Sequence, residues 1–254
     1  MKLLLITISA LLLLPNFFNF HLEKTPQYDH KELFDPSLSR INSIDKLEQY
    51  IDSTETVGAI NPNSIDYIDT ISQAIKKRFY HGFSHFTVKE NWIAAFSEKI
   101  IGYGLSCKVK PDDIMKQEYA ACSQQAMVMM EILRRKKISY RSVGFPHHFA
   151  LEVLINNKWY YFDPNMEPNI SNEQRLEENW KCCADNLKKY YDTTRFKDLD
   201  WKFGDNQKVT QGKINQTYAG NVKIFQTSTA ALSKILWCFP LLLLFYRSRR
   251  PKKQ

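Results

Sequence analysis

Glycine is scarce in this chain, 8 among 254 residues, and no glycines gather into a loop able to cradle phosphates. That removes the usual signature of nucleotide binding. The cysteines number five, and their only close pair, Cys182–Cys183, is adjacent in sequence and has no histidine nearby, so the spacing of a zinc knuckle is missing. His81 and His85 stand four apart, a metal-binding spacing on a helix, but Gly82 between them ends the helical pattern and leaves two ordinary histidines. No metal or cofactor is expected. No acidic ligand cluster is present, which argues against calcium dependence. Internal repeats are also missing. The formal net charge is +8, yet Lys2, Arg247, Arg249, Arg250, Lys252 and Lys253 supply six of those charges and leave only +2 on residues 3–246. No basic stripe interleaved with aromatics remains, and nucleic acid is not an expected partner.

Two apolar runs mark the ends. Lys2 precedes LLLITISALLLLP, a positive n-region and an h-region of signal-peptide length. No small-x-small cleavage site precedes His21, so residues 1–20 read as either a signal peptide or an N-terminal anchor. Residues 230–246 (AALSKILWCFPLLLLFY) read as a short transmembrane segment, and the basic residues of 247–254 read as a stop-transfer signal in a cytoplasmic tail. The body between them is then extracytoplasmic. There Cys107 with Cys182 or Cys183 is the available disulfide, and one thiol is left over.

Residues 21–43, polar and with two prolines, read as a linker, and residues 44–228 as the folded domain. Ile65, Ile68, Ile71, Ile75 and Phe79 predict a helix over 64–80. Trp92, Ile93, Phe96 and Ile100 predict another over 88–101. A third begins near Ala121, with Met129, Met130 and Leu133 on its core face and cations in its last turn. Residues 140–145, 149–155 and 159–162 are β-rich, with Asn156-Asn157-Lys158 as a hairpin turn. A further helix is expected over 173–191, including Cys183. Helices followed by an antiparallel sheet make an α+β fold.

Within this frame Cys122 opens a helix, His148 opens a strand, and Asp163 closes the next strand before Pro164. A helix N-terminus and an adjacent imidazolium both lower a thiol's pKa, and a carboxylate fixes the imidazole tautomer. Asp163 lies one hairpin beyond His148, so the two side chains can meet on paired strands. The backbone N–H of Cys122 would face a developing oxyanion.

The order and spacing of Cys122, Ala126, Leu133 and Ile138, of His148-Phe-Ala-Leu-Glu152-Val153, and of Trp159-Tyr-Tyr-Phe-Asp163-Pro164 resemble the core of the transglutaminase-like superfamily, a papain-like group of Cys–His–Asp enzymes. The resemblance covers about 45 residues. It implies a nucleophile helix packed on a small antiparallel sheet, with helices preceding. It also implies His148 rather than His147 as base, and Gln117, with Tyr119 as an alternative, as a side-chain oxyanion donor. Two departures, Ala120-Ala121 before the cysteine and Ala150 after the histidine, bear on substrate preference. The implied activity is acyl transfer on amide bonds of peptides or proteins through a cysteine thioester. The alternative is a membrane-tethered binding domain that keeps the fold without turnover.

Overall fold

The computed structural model of the chain describes residues 1–53, 61, 63–182, 184–196, 198–204 and 209–249. The elements run α1 (Lys2–Leu13), α2 (Ile44–Ser53), α3 (Ile65–Arg78), β1 (Tyr80–His81), α4 (Val88–Ile101), α5 (Pro111–Ile114), β2 (Tyr119–Ala120) and α6 (Cys122–Arg135). They continue β3 (Tyr140–Gly144), β4 (Phe149–Ile155), β5 (Lys158–Phe162), α7 (Glu177–Trp180), α8 (Asp185–Lys188), α9 (Leu199–Phe203), β6 (Thr210–Gln211), α10 (Gly220–Ile235) and α11 (Cys238–Arg249). This is a mixed α+β protein with a small antiparallel sheet.

The chain divides into two units, and the single domain expected over 44–228 is not one of them. One unit combines Met1–Thr25, His85–Cys107 and the chain from Ala219 onward; the other combines Pro26–Ser84 with Lys108–Tyr218. Cys122, His148 and Asp163 all lie in the second.

In that second unit the four-stranded sheet has the order β5-β4-β3-β6 with antiparallel neighbours. The β4–β5 hairpin closes through Asn156 and Asn157, whose φ of 49° and 61° suit a two-residue turn that follows the strands' twist. Register runs from Ile155 against Lys158 to Leu151 against Phe162, which leaves His148 and Asp163 just beyond the last pair. Helix α6 packs on β3 and β4 and also on α2, α3 and α5, which is why Ala126, Val128, Met129, Ile132 and Leu133 are all fully buried. A second cluster joins Val143, Ala150 and Tyr161 of the sheet to Trp180, Leu187, Tyr191 and Phe203. The single helix expected over 173–191 is instead two short ones, α7 and α8, separated near Cys182; Cys183 lies outside the described residues.

The linker expected over 21–43 is, from Pro26 on, part of this unit. Arg78 is buried, and its Nε and Nη2 donate to Ile41 O and Met115 O at 2.8 Å each. Asp35 N donates to Lys77 O, and Leu38 and Ile41 are buried. Tyr28 and Phe34 pack edge-on in an aromatic group with Tyr80 and Tyr119. Pro26 lies so close over Gly82 that a Cβ there would sit 2.4 Å from the proline ring, so position 82 admits no side chain.

In the first unit α10 is seated on α4 by a polar seam. Asn91 Nδ2 donates to Gln226 O and Thr229 Oγ1, and Trp92 Nε1 donates to Ser233 O. No single helix among the described residues is long and apolar enough to cross a membrane. The span expected over 230–246 is divided between α10 and α11, which pass that test only as a pair bent by 51°. Pro240 cannot donate to Leu236 O and its ring crowds that carbonyl, which is why the helix breaks there and does not continue as one apolar rod. Arg247 and Arg249 end α11; Arg250, Lys252 and Lys253 lie outside the described residues.

Candidate active site

Cys122 is the first residue of α6, preceded by an extended Ala121 (φ −70°, ψ 166°) that ends the β2 segment. Alanine has no side chain to cap the helix, and Gln124 substitutes for one. Its Oε1 accepts from Ala121 N at 3.1 Å and from Ser84 N at 2.9 Å, and its Nε2 donates to Ser84 O and Lys108 O. Gln125 Nε2 adds a bond to Ala120 O at 2.8 Å. Two buried glutamines thus clamp the approach to Cys122. The N–H of Cys122 is one of the helix's first-turn donors without an intrahelical acceptor, placed beside the thiol.

His148 and Asp163 meet as the hairpin register requires. His148 Nε2 lies 2.6 Å from Asp163 Oδ2, and both side chains are almost wholly buried. Nδ1 is the ring nitrogen not facing Asp163, and Cys122 and His148 are near enough for each to shift the other's ionisation. Asp163 is fully engaged: Oδ2 also accepts from Tyr191 OH at 2.8 Å, and Oδ1 accepts from Asn165 N at 3.1 Å and Met166 N at 3.0 Å. Tyr191 OH is in turn 2.8 Å from Tyr161 OH. One residue further out, Glu167 Oε2 accepts from Asp163 N and Ser72 Oγ while Oε1 pairs with Arg175.

The electrostatics follow from this packing. Burial alone would strip His148 of its proton, but the Asp163 carboxylate and the bond to Cys122 outweigh it and carry the imidazole up to about 9. Burial likewise opposes ionisation of Asp163, and His148 together with the Met166 N–H and Tyr191 hydrogen bonds holds it below the ordinary carboxylate value. For Cys122, burial raises the thiol's pKa, and the His148 hydrogen bond and charge more than reverse that, so the thiol ionises below its usual range. The three groups favour a thiolate–imidazolium pair backed by a carboxylate, the state a cysteine nucleophile needs.

Cys107 shows the contrast. Its Sγ lies 3.6 Å from His85 Nδ1, yet burial and then the Glu98 and Glu23 carboxylates push the thiol up to about 12. The same two residue types without a favourable charge give a thiol held protonated at neutral pH. Cys107, Cys122, Cys182 and Cys238 are free thiols, so Cys107 and Cys182 do not form the expected bridge.

Gln117, the expected oxyanion donor, lies five residues before Cys122. Its side chain is half-buried in the turn after α5 and makes no hydrogen bond with Cys122 or His148 among the described residues. Tyr119 is buried in the aromatic group with Tyr80. His147 is exposed, stacked flat on Trp201 at 4.0 Å, apart from the Asp163 pair. Glu152 is structural, paired with Arg141 at 2.6 Å and with Gln211. His81 and His85 belong to different units, and no group of three or more metal-ligating side chains exists among the described residues.

Sequence reasoning missed Tyr191, Tyr161 and Gln124. Tyr161 carried a weak signal, since it shares a strand face with Asp163. Tyr191 lies 28 residues beyond Asp163, with nothing in the intervening pattern to connect them. No family model, no curated protein and no solved structure matches this chain.

Proposed function

We propose that this protein is a cysteine-dependent acyl-transfer enzyme of the transglutaminase-like superfamily acting on amide bonds of peptides or proteins. The observation that carries the reading is the series Cys122–His148–Asp163, half-buried at the thiol and buried at the other two, with His148 Nε2 2.6 Å from Asp163 Oδ2 and the imidazole lowering the thiol's pKa. The Cys122 thiolate adds to the amide carbonyl, and the oxyanion forms next to the helix's first-turn N–H groups. The C–N bond breaks as the imidazolium gives its proton to the leaving amine, and a thioester remains. Water or an amine then attacks the thioester, and His148 takes the incoming proton and returns it to the departing sulfur. Hydrolysis or deamidation follows with water, transamidation with an amine.

The setting proposed for this chemistry is the outer side of a membrane held by the first unit. Its α1, α10 and α11 leave Leu3, Leu4, Leu11, Ile224, Leu242 and Phe245 exposed, and α11 ends in Arg247 and Arg249. Peptides or proteins of a cell envelope are the substrates that such a setting offers.

The test is alkylation. Cys122 should react with iodoacetamide well below pH 8 and faster than Cys107, and His148→Ala should abolish that advantage. A Cys122 that reacts no faster than Cys107 would replace this reading with that of a binding domain. Ammonia release or new peptide termini, set against incorporation of a labelled amine, then identifies the acceptor.

A further inference from the structure

A cavity of about 200 Å³ opens beside the triad, in the same unit. Four of its lining residues are tied to the triad or to its chain neighbours. Asn165 and Met166 line it, and their N–H groups are the ones that hold Asp163 Oδ1. His81 lines it and pairs in register with Ala120, two residues before Cys122. Lys202 lines it, and its carbonyl accepts from His147 N, next to His148. The volume falls below the roughly 300–1,000 Å³ of a drug-sized site, so it suits one side chain or one chain end.

Its charges are arranged by depth. Asp29, Lys31 and Asp198 stand exposed at the rim, where water screens them. Further in are Lys76, which is buried, and Arg195 and Lys202, which are half-buried. The one acid at that depth, Glu32, already accepts the His81 N–H at 2.5 Å. Lys76 Nζ reaches Met166 O and Glu167 O only at 3.4 and 3.3 Å, and Glu167 is engaged with Arg175 and Ser72. Arg195 Nε is shielded from solvent and has no hydrogen-bond partner among the described residues. The inner cavity therefore holds more positive charge than it satisfies, over an apolar floor of Phe79 and Met166.

We propose that this cavity receives a carboxylate of the acyl substrate, an acidic side chain or a chain terminus neighbouring the amide that Cys122 attacks. The assignment rests on Cys122 as the acyl-accepting nucleophile and adds the substrate class. A carboxylate bound there would take up the unused Arg195 and Lys76 donors, and its methylene stem would cover Phe79 and Met166.

Two alkylating agents of nearly equal size, iodoacetate and iodoacetamide, read this directly on the full chain. Removing a cation weakens the thiolate toward both reagents, so the measured quantity is the iodoacetate-to-iodoacetamide rate ratio at Cys122, followed by peptide mass mapping. Arg195→Gln and Lys202→Gln should each lower that ratio by about threefold or more, the effect of one unit charge at close range in a partly solvated site. An unchanged ratio overturns the proposal. Protection of Cys122 from iodoacetamide then identifies the source of the carboxylate. A tripeptide amide with an internal glutamate protecting better points to an acidic side chain, and a neutral tripeptide with a free C-terminus protecting better points to a chain end. Should Cys122 react no faster than Cys107, the nucleophile reading fails separately. Binding of carbon-13-labelled glutarate by line broadening in Cys122→Ala still tests the cavity: broadening abolished by Arg195→Gln supports it, and broadening indifferent to that change refutes it.

Discussion

Replacing Asp163 by asparagine should disable Cys122 more thoroughly than the loss of one charge suggests. Oδ1 of Asp163 accepts from two backbone donors, Asn165 N and Met166 N. An amide placed here must turn its oxygen toward that pair, because its NH2 cannot accept from them. The NH2 then points at His148 Nε2, and the imidazole responds by accepting there and carrying its proton on Nδ1, toward the sulfur. A base protonated on the side facing its nucleophile cannot take the nucleophile's proton. The same change removes the carboxylate that holds His148 up at about 9, and burial, no longer opposed, keeps the ring neutral. Tautomer reversal of this kind in another triad enzyme lowers turnover about 10⁴-fold, equivalent to roughly 5.5 kcal/mol at 1.36 kcal/mol per decade. The assay is the iodoacetamide rate at Cys122 against pH, by mass spectrometry. The parent protein should react well below pH 8; in Asp163→Asn the whole profile should shift upward by more than one unit. An unchanged profile in a protein that melts normally would refute the tautomer argument and the role of Asp163 with it.

Other expectations are smaller in scale. Tyr191→Phe removes one charge-assisted donor from Asp163 and leaves Tyr161 OH without its partner, so it should cost about 1.5–3 kcal/mol in thermal unfolding. The same variant should move the Cys122 alkylation profile, which a merely structural role would not do. Gln124→Ala strands Ala121 N and Ser84 N in a buried place, for about 2 kcal/mol or more by denaturant titration. Because His148 is raised to about 9 in the folded protein, its contribution to stability is fully present below the unfolded histidine value near 6.5. It is lost as pH rises through 9. Melting temperature should therefore fall across that window, and the fall should shrink in His148→Ala. Cys107 should resist alkylation at neutral pH until the protein is unfolded, since burial holds its thiol up at about 12.

Much of the site was legible because its parts are local. The hairpin turn at Asn156-Asn157 sets the register, and that register brings His148 and Asp163 to the same end of adjacent strands. The helix starting at Cys122 declares itself by its apolar period. Strand β6 is only two residues long and carries no alternation that would reveal it. The break between α7 and α8 defeated a spacing that suited one helix equally well. Residues 26–43 look like a linker because their polar composition hides what holds them: the buried Arg78 guanidinium and the aromatic group around Tyr80 belong to later parts of the chain. The capping glutamine, Gln124, lies inside the helix, because alanine at the cap position leaves a task that the third helical residue reaches back to perform. Tertiary partners of this kind have no sequence period.

The hydroxyl relay from Tyr161 through Tyr191 to Asp163 changes what the region after Pro168 is for. A fragment ending there would retain Cys122, His148 and Asp163 and still lose a donor to the carboxylate, as well as the Trp180, Leu187 and Phe203 side chains that cluster with Tyr161. The ionised state of Asp163, which raises His148, thus depends partly on a hydroxyl from outside the Cys–His–Asp stretch. Mutational drift in that outwardly unremarkable segment would surface as a change in reactivity at the sulfur, before any loss of shape.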